Sequence, residues 1–221
     1  MDLKLKICCI SSIAEAQMAI VHGADAIGLV GPMPSGPGTI DDELIAEIAG
    51  LVPDEIDTFL LTSETSAEKV VKHHQRAKTS AIQIVDKLQT GNHAEIKVYL
   101  PKVKIVQVVH INGEESINEA LEAAETADAV LLDSGNPNLT IKELGGTGRT
   151  HNWEISRRIV EQSQKPVFLA GGLNPDNVLR AIEVVGPFGI DLCSGVRTNG
   201  SLDHSKLKKF VAAARGFASS A

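Results

Sequence analysis

Eight times along this chain a short, β-branched apolar run gives way to a longer amphipathic segment. LKLKICCI leads into SSIAEAQMAIVHG, which opens on serine and stops at Gly23 as a helix does. DAIGLV leads into DDELIAEIAGLV, IDTFLL into SAEKVVKHHQRA, AIQIV into GNHAEIKVYL, and VKIVQVVHI into ESINEALEAAETA. DAVLLDS precedes a long glycine-rich stretch and then NWEISRRIVEQS. KPVFLAGG precedes PDNVLRAIEVVG, and GIDLCSG precedes DHSKLKKFVAAARG. Apolar runs with little alternation suit strands covered on both faces, as in parallel sheets joined by helices. Eight such units predict a TIM (β/α)8 barrel, a single α/β domain over residues 1–221. An open doubly wound sheet uses fewer units and typically carries a phosphate fingerprint after its first strand; none stands there.

The composition removes several classes of function. A net charge of −7 argues against a nucleic-acid partner, which needs a basic face. One Trp, one Tyr and five Phe leave little for base stacking. No apolar run approaches the roughly 20 residues that cross a bilayer, so no membrane partner is expected. MDLKLK lacks the long apolar stretch of a secretory signal, and three cysteines, an odd number, suggest thiols kept reduced in a cytoplasm. Adjacent cysteines rarely both ligate one ion and no CxxC or HxxxH spacing is present, so no metal is expected. His73-His74 reads as a solvated helix face.

In this fold chemistry sits where strands end and loops to helices begin. The last two strand ends are Gly171-Gly172 and Ser194-Gly195, the usual place for a phosphate held by backbone N–H groups. Asp133 ends the sixth strand; it reads either as a turn or helix cap, common for Asp after a strand, or as a proton donor if desolvation raises its pKa. A loop as long as the one after it is usually functional, and Gly146, Thr147 and Gly148 offer backbone donors to a ligand. Two cysteines end the first strand, and alternation of faces lets only one of them point inward.

KICCI, LLDS, GGTGRTHNW, AGGLNPDNV and DLCSGV resemble, in order and spacing, the stretches KICGI, LLD, GGTGKTFDW, AGGLNPENV and DVSSGVE of the phosphoribosylanthranilate isomerase family. The resemblance implies a cofactor-free Amadori rearrangement of a phosphorylated aminoaldose to an aminoketose. It implies Cys8 as general base, acting as a thiolate, which needs a lowered pKa that sequence does not show, and Asp133 as general acid. It implies a substrate and phosphate set of Gly146, Thr147, Gly148, Gly171, Gly172, Asp191, Ser194 and Gly195. Cys9 then stands where the family has Gly and is expected on the opposite face, with no positive φ.

The aglycone side departs from the family forms. Gly38 falls about where a carboxylate-binding Arg is expected. His110 stands at a usual Arg and Gln107 at a usual Lys, QIVD replaces QLHG, and SGVR replaces SGVE. Arg197, Arg149 and His110 are the cations available to compensate. A cytoplasmic isomerase, monomer or homodimer, acting on N-(5-phosphoribosyl)anthranilate is therefore the leading expectation. An isomerase of another sugar phosphate and a non-catalytic phosphometabolite-binding barrel are the alternatives. Retention of both Cys8 and Asp133 favours catalysis over binding alone.

Overall fold

Parallel strands β1 (Lys4–Ile7), β2 (Ala26–Val30), β3 (Asp57–Thr62), β4 (Ala81–Ile84), β5 (Lys104–His110), β6 (Ala129–Asp133), β7 (Val167–Leu169) and β8 (Gly189–Leu192) form a closed barrel in chain order. The computed structural model describes residues 3–34, 36–135 and 150–218. β8 closes on β1 through Lys4↔Gly189 to Ile7↔Leu192. Between the strands run α1 (Ile13–Val21), α2 (Asp42–Leu51), α3 (Ala67–Ala77), α4 (His93–Tyr99), α5 (Glu115–Thr126), α6 (Trp153–Gln162), α7 (Val178–Val185) and, last, α8 (His204–Ala218).

Local chemistry sets where the helices begin. Ser12, Asp41 and Asn92 cap α1, α2 and α4 by accepting from Glu15 N (3.2 Å), Leu44 N (2.8 Å) and Glu95 N (3.1 Å). Such a cap is worth about 0.5–2 kcal/mol, enough to fix a boundary that hydrophobic pattern alone leaves loose. α7 stops at Gly186, which turns into the left-handed region at φ 61°. Apolar residues facing out of the sheet, among them Ile27, Leu29, Leu60, Val130 and Leu132, pack under the helices. Those facing in, among them Ala26, Phe59, Ala81, Val106, Leu131 and Phe168, fill the barrel.

Alternation along each strand then decides what reaches the mouth. Val106 and Val108 face in, so His110 does; Ala129 and Leu131 face in, so Asp133 does. His110 and Asp133 are register partners across β5 and β6.

A feature not expected from the unit pattern follows β8. A single 3-10 turn, Ser194–Val196, leads into a small antiparallel hairpin of β9 (Arg197–Thr198) and β10 (Ser201–Leu202). Its two-residue loop is Asn199-Gly200, with φ of 50° and 83°, as a loop with both residues left-handed requires.

His73-His74 is corrected from the expected solvated face: both rings are buried. His73 joins Thr62 Oγ1 (2.8 Å) to Asp42 Oδ1 (2.9 Å), linking β3 to α2. His74 lies 2.7 Å from the Thr79 carbonyl oxygen.

Candidate active site

The most confined charge among the described residues is Lys6. Its side chain is fully buried on β1, facing into the barrel, with the ammonium 2.9 Å from Asp191 Oδ1 and 5.2 Å from the centre of the Phe59 ring. The approach to Asp191 is close but not aligned as a hydrogen bond, so the pair is held chiefly by charge. Removing such an ion from water costs several kcal/mol, which only a partner nearby offsets. Burial pulls the ammonium toward its neutral form, and Asp191 and then Cys8 outweigh burial, so Lys6 stays a cation.

Cys8 lies two residues on and on the same face. It is buried, and burial pushes its thiol up to about 11; Lys6 opposes that rise and Asp191 adds to it. A thiolate base needs a lowered pKa, and burial works against it here: in the free enzyme Cys8 is a thiol at neutral pH, and Lys6 is the side chain that favours its thiolate. Gly28 on β2 makes room for both side chains. A Cβ there would stand 2.7 Å from Cys8 Sγ and 3.0 Å from Lys6 Nζ.

Asp133 ends β6 and is buried, with Oδ1 accepting from the Ser134 N–H at 2.7 Å. Burial pushes its carboxyl up; the Ser134 N–H and His110 pull it down, and Asp191 pushes it up again. Asp191 thus acts on both ends of the expected acid–base pair. His110 sends Nε2 to the Val85 carbonyl oxygen (3.2 Å), while its buried Nδ1 makes no hydrogen bond. Gln107 faces out of the barrel toward His93 (3.1 Å) and the Ile84 carbonyl oxygen (3.1 Å), away from the mouth.

The loops after β7 and β8 meet backbone to backbone. Gly171 and Gly172 have φ of 81° and 63°, and Gly195 packs so closely on Leu173 that any Cβ would collide with its carbonyl oxygen. Ser194 is exposed beside them. Gly146, Thr147, Gly148 and Arg149 lie outside the described residues.

Cys9 departs from its sequence reading in three ways. It lies beyond the end of β1, where alternation no longer applies, and it is buried in the apolar cluster of the barrel interior with Cys8. Its φ is 62°, the left-handed conformation that Gly takes without cost. Its sulfur is joined to Cys193, so the expected reduced state applies to Cys8 alone. Gly38 is left-handed too, at φ 73°, and a Cβ there would come within 2.8 Å of Cys9 Cβ.

Arg197 is corrected as well. It is buried, and it pairs with Glu15 at 3.0 and 3.1 Å and donates to the Cys9 and Gly200 carbonyl oxygens, leaving it no reach toward a ligand. The residues missed at sequence level are thus Lys6, Gly28, Glu15 and the Asn199-Gly200 turn. Lys6 had a legible signal, since it stands two places before Cys8 on one face. Asn-Gly had another, as the strongest short hairpin signal.

A cleft of about 520 Å³ opens beside the mouth, between α4 and α5, lined by Asp86, His93, Gln107, His110, Glu119 and Glu122 among others. Cys8 and Asp133 do not line it. Among the described residues no three His, Cys, Asp or Glu converge as metal ligands, and no helix is long and apolar enough to cross a membrane.

Residues 5–213 match the family model described as N-(5'phosphoribosyl)anthranilate (PRA) isomerase. The chain is 33% identical to N-(5'-phosphoribosyl)anthranilate isomerase of Methanosarcina acetivorans, over 94% of this chain and 91% of that protein. It is similar to the crystal structure of phosphoribosyl anthranilate isomerase from Thermotoga maritima, with TM-score 0.80 and 27% identity over 97% of this chain and 99% of that one. A structure of the isomerase in complex with reduced 1-(o-carboxyphenylamino)-1-deoxyribulose 5-phosphate is similar at TM-score 0.77 and 25% identity, over 97% and 99% of the two chains. Fold, matched length and identity together place this chain in the N-(5'-phosphoribosyl)anthranilate isomerase family.

Proposed function

We propose that the chain isomerises N-(5'-phosphoribosyl)anthranilate, a phosphorylated aminoaldose, to the corresponding aminoketose, with Asp133 as acid and Cys8 as base. The observation that carries this reading is the buried array Asp133, Asp191, Lys6 and Cys8 inside one barrel mouth. Asp133, its carboxyl pushed up by burial, gives its proton to the furanose ring oxygen as the C1′–O bond breaks and nitrogen forms a Schiff base. Cys8, as the thiolate that Lys6 favours, takes the C2′ proton, and the electron pair moves into the iminium to give an enolamine. Tautomerisation then yields the ketone at C2′.

The substrate phosphate sits on the backbone N–H groups at Gly171, Gly172, Ser194 and Gly195, with Gly146, Thr147 and Gly148 completing the set. The similar isomerase that binds a 5-phosphate analogue supports a phosphorylated ligand. On the aglycone side Gly38 supplies no cation and Arg197 is committed elsewhere; among the described residues the buried Nδ1 of His110 is a ring atom left without a partner, an acceptor in the neutral ring whose Nε2 donates to the Val85 carbonyl oxygen.

Turnover of N-(5'-phosphoribosyl)anthranilate by the purified protein, beside rescue of a tryptophan auxotroph lacking this isomerase, tests the activity. Failure of both sinks it. Cys8→Ala and Asp133→Asn should each lose about 10²–10⁴-fold in kcat while remaining folded. Ser194→Asp should abolish phosphate binding by calorimetry. It is a better probe than a change at Gly195, whose Cβ has no room.

A further inference from the structure

Two sulfurs that the acid–base chemistry does not use stand at the same mouth. Cys9 is the second residue beyond β1 and Cys193 the first beyond β8. These strands are neighbours across the closing seam, which brings residues 184 positions apart to a Cα–Cα distance of 5.8 Å. That lies within the roughly 4.4–6.8 Å a disulfide spans, and the two sulfurs are joined. The similar family forms carry Gly and Ser at these places, so the pair is added to the catalytic machinery.

The two halves differ in how they are held. Cys9 is 4% exposed, packed on Gly38, with Arg197 donating to its carbonyl oxygen. Cys193 is partly exposed, and the next two residues, Ser194 and Gly195, form the β8 side of the phosphate cradle. The disulfide therefore ties a loop that carries the cradle to an anchored point beside Cys8.

We propose that Cys9 and Cys193 are a reversible thiol–disulfide site, whose oxidised form holds the phosphate cradle in its binding shape and whose reduction weakens phosphate affinity. In reduction a small thiolate attacks Sγ of Cys193, the partly exposed partner, and Cys9 leaves as a thiolate and takes up a proton. A second small thiol then attacks the added sulfur, freeing Cys193 and releasing the small disulfide. In oxidation a glutathione-type disulfide is the two-electron acceptor, and the same steps run backward. The proposal rests on the reading of the β7 and β8 loops as the phosphate site.

The test equilibrates the protein over a range of glutathione ratios, blocks free thiols by alkylation, and maps peptides without reduction. Inorganic phosphate affinity and turnover are then measured at each poise. A Cys9–Cys193 peptide should accumulate toward the oxidising end, with Cys8 alkylated only on unfolding. Over the same range phosphate Kd and substrate KM should fall several-fold, with kcat much less affected. The Cys9→Gly/Cys193→Ser variant should match the reduced protein and lose all response to poise. Absence of the linked peptide at every poise overturns the proposal, and so does a linked pair with unchanged phosphate Kd. Failure of the functional reading is a separate result: no turnover in either redox state, while the peptide map still reports the pair.

Discussion

Lys6 and Cys8 have opposite needs in the same pocket, and a pH profile can separate them. Catalysis requires Cys8 ionised and Asp133 protonated, yet burial holds the thiol at about 11 and keeps the carboxyl above its ordinary range. When the base has the higher pKa, the limbs of the profile exchange owners. The kcat/KM of the enzyme should fall on the acid side through the titration of Asp133 and on the alkaline side through that of Cys8, with a plateau between. Lys6→Met removes the cation that favours the thiolate, so the alkaline limb should move up and the plateau should drop. The same change leaves Asp191 buried and unpaired, which should cost about 3–5 kcal/mol in urea denaturation. Lys6→Met/Asp191→Leu should regain much of that stability and none of the activity. Recovery of turnover in the double variant would remove Lys6 from the mechanism. Lys6 was readable in the sequence, because period-two alternation puts it on the Cys8 face. Cys9 was not, because a φ of 62° follows from where a strand stops, which composition does not reveal.

At the scale of elements, the hairpin after β8 is held to α1 by one carboxylate. Glu15 accepts from Ser11 N (3.0 Å) and Leu202 N (2.7 Å) and binds Arg197 through both oxygens. Burial pushes its carboxyl up, but Arg197 and these backbone donors win and hold it below its ordinary value of 4.5. A depressed carboxylate adds stability above the unfolded pKa and loses it as pH falls through the folded one. Glu15→Gln should thus lower stability near neutrality and flatten the loss below about pH 4.5, read as denaturation midpoints against pH. An unchanged acid slope would show that Glu15 does not carry it. Arg197 could not be placed from sequence: whether a cation faces a ligand or a buried partner depends on a helix 182 residues away. Gly195→Ala addresses the neighbouring loop. Its collision with Leu173 should cost about 1–3 kcal/mol, as overpacking does, together with phosphate affinity.

Across the whole molecule, closure joins the two ends of the chain. β8 pairs with β1, and α8 lays Leu207, Phe210 and Ala214 into the core cluster that also holds Leu3 and Leu5. Arg215 donates to the Leu3 carbonyl oxygen at 2.7 Å and reaches Asp25 at 2.6 Å. Phe210 is fully buried, so Phe210→Ala should cost about 3–5 kcal/mol by urea denaturation. The fluorescence of Trp153, the one tryptophan, packed on that same cluster from α6, should lose its folded signal in the same transition as circular dichroism. Separate transitions would mean that the seam opens before the rest. Eight strand–helix units were legible because apolar runs and helical segments alternate throughout, and α1, α2, α4 and α6 also open on a side-chain cap. The seam followed from the count, because a barrel of eight such units closes its last strand on its first; the residues that meet there did not.

The contact between Cys9 and Gly38 makes each position hostage to the other. A side chain at 38 would meet Cys9 Cβ at 2.8 Å, its carbonyl oxygen at 3.0 Å and its Cα at 3.2 Å, on a backbone held left-handed at φ 73°. Gly at 9 would remove only the first of these. Gly38→Arg should therefore damage either background, and this chain more than one with Cys9→Gly; a double-mutant cycle on stability measures how much of the cost that one carbon carries. Additive effects would mean that Cys9 places no demand on position 38.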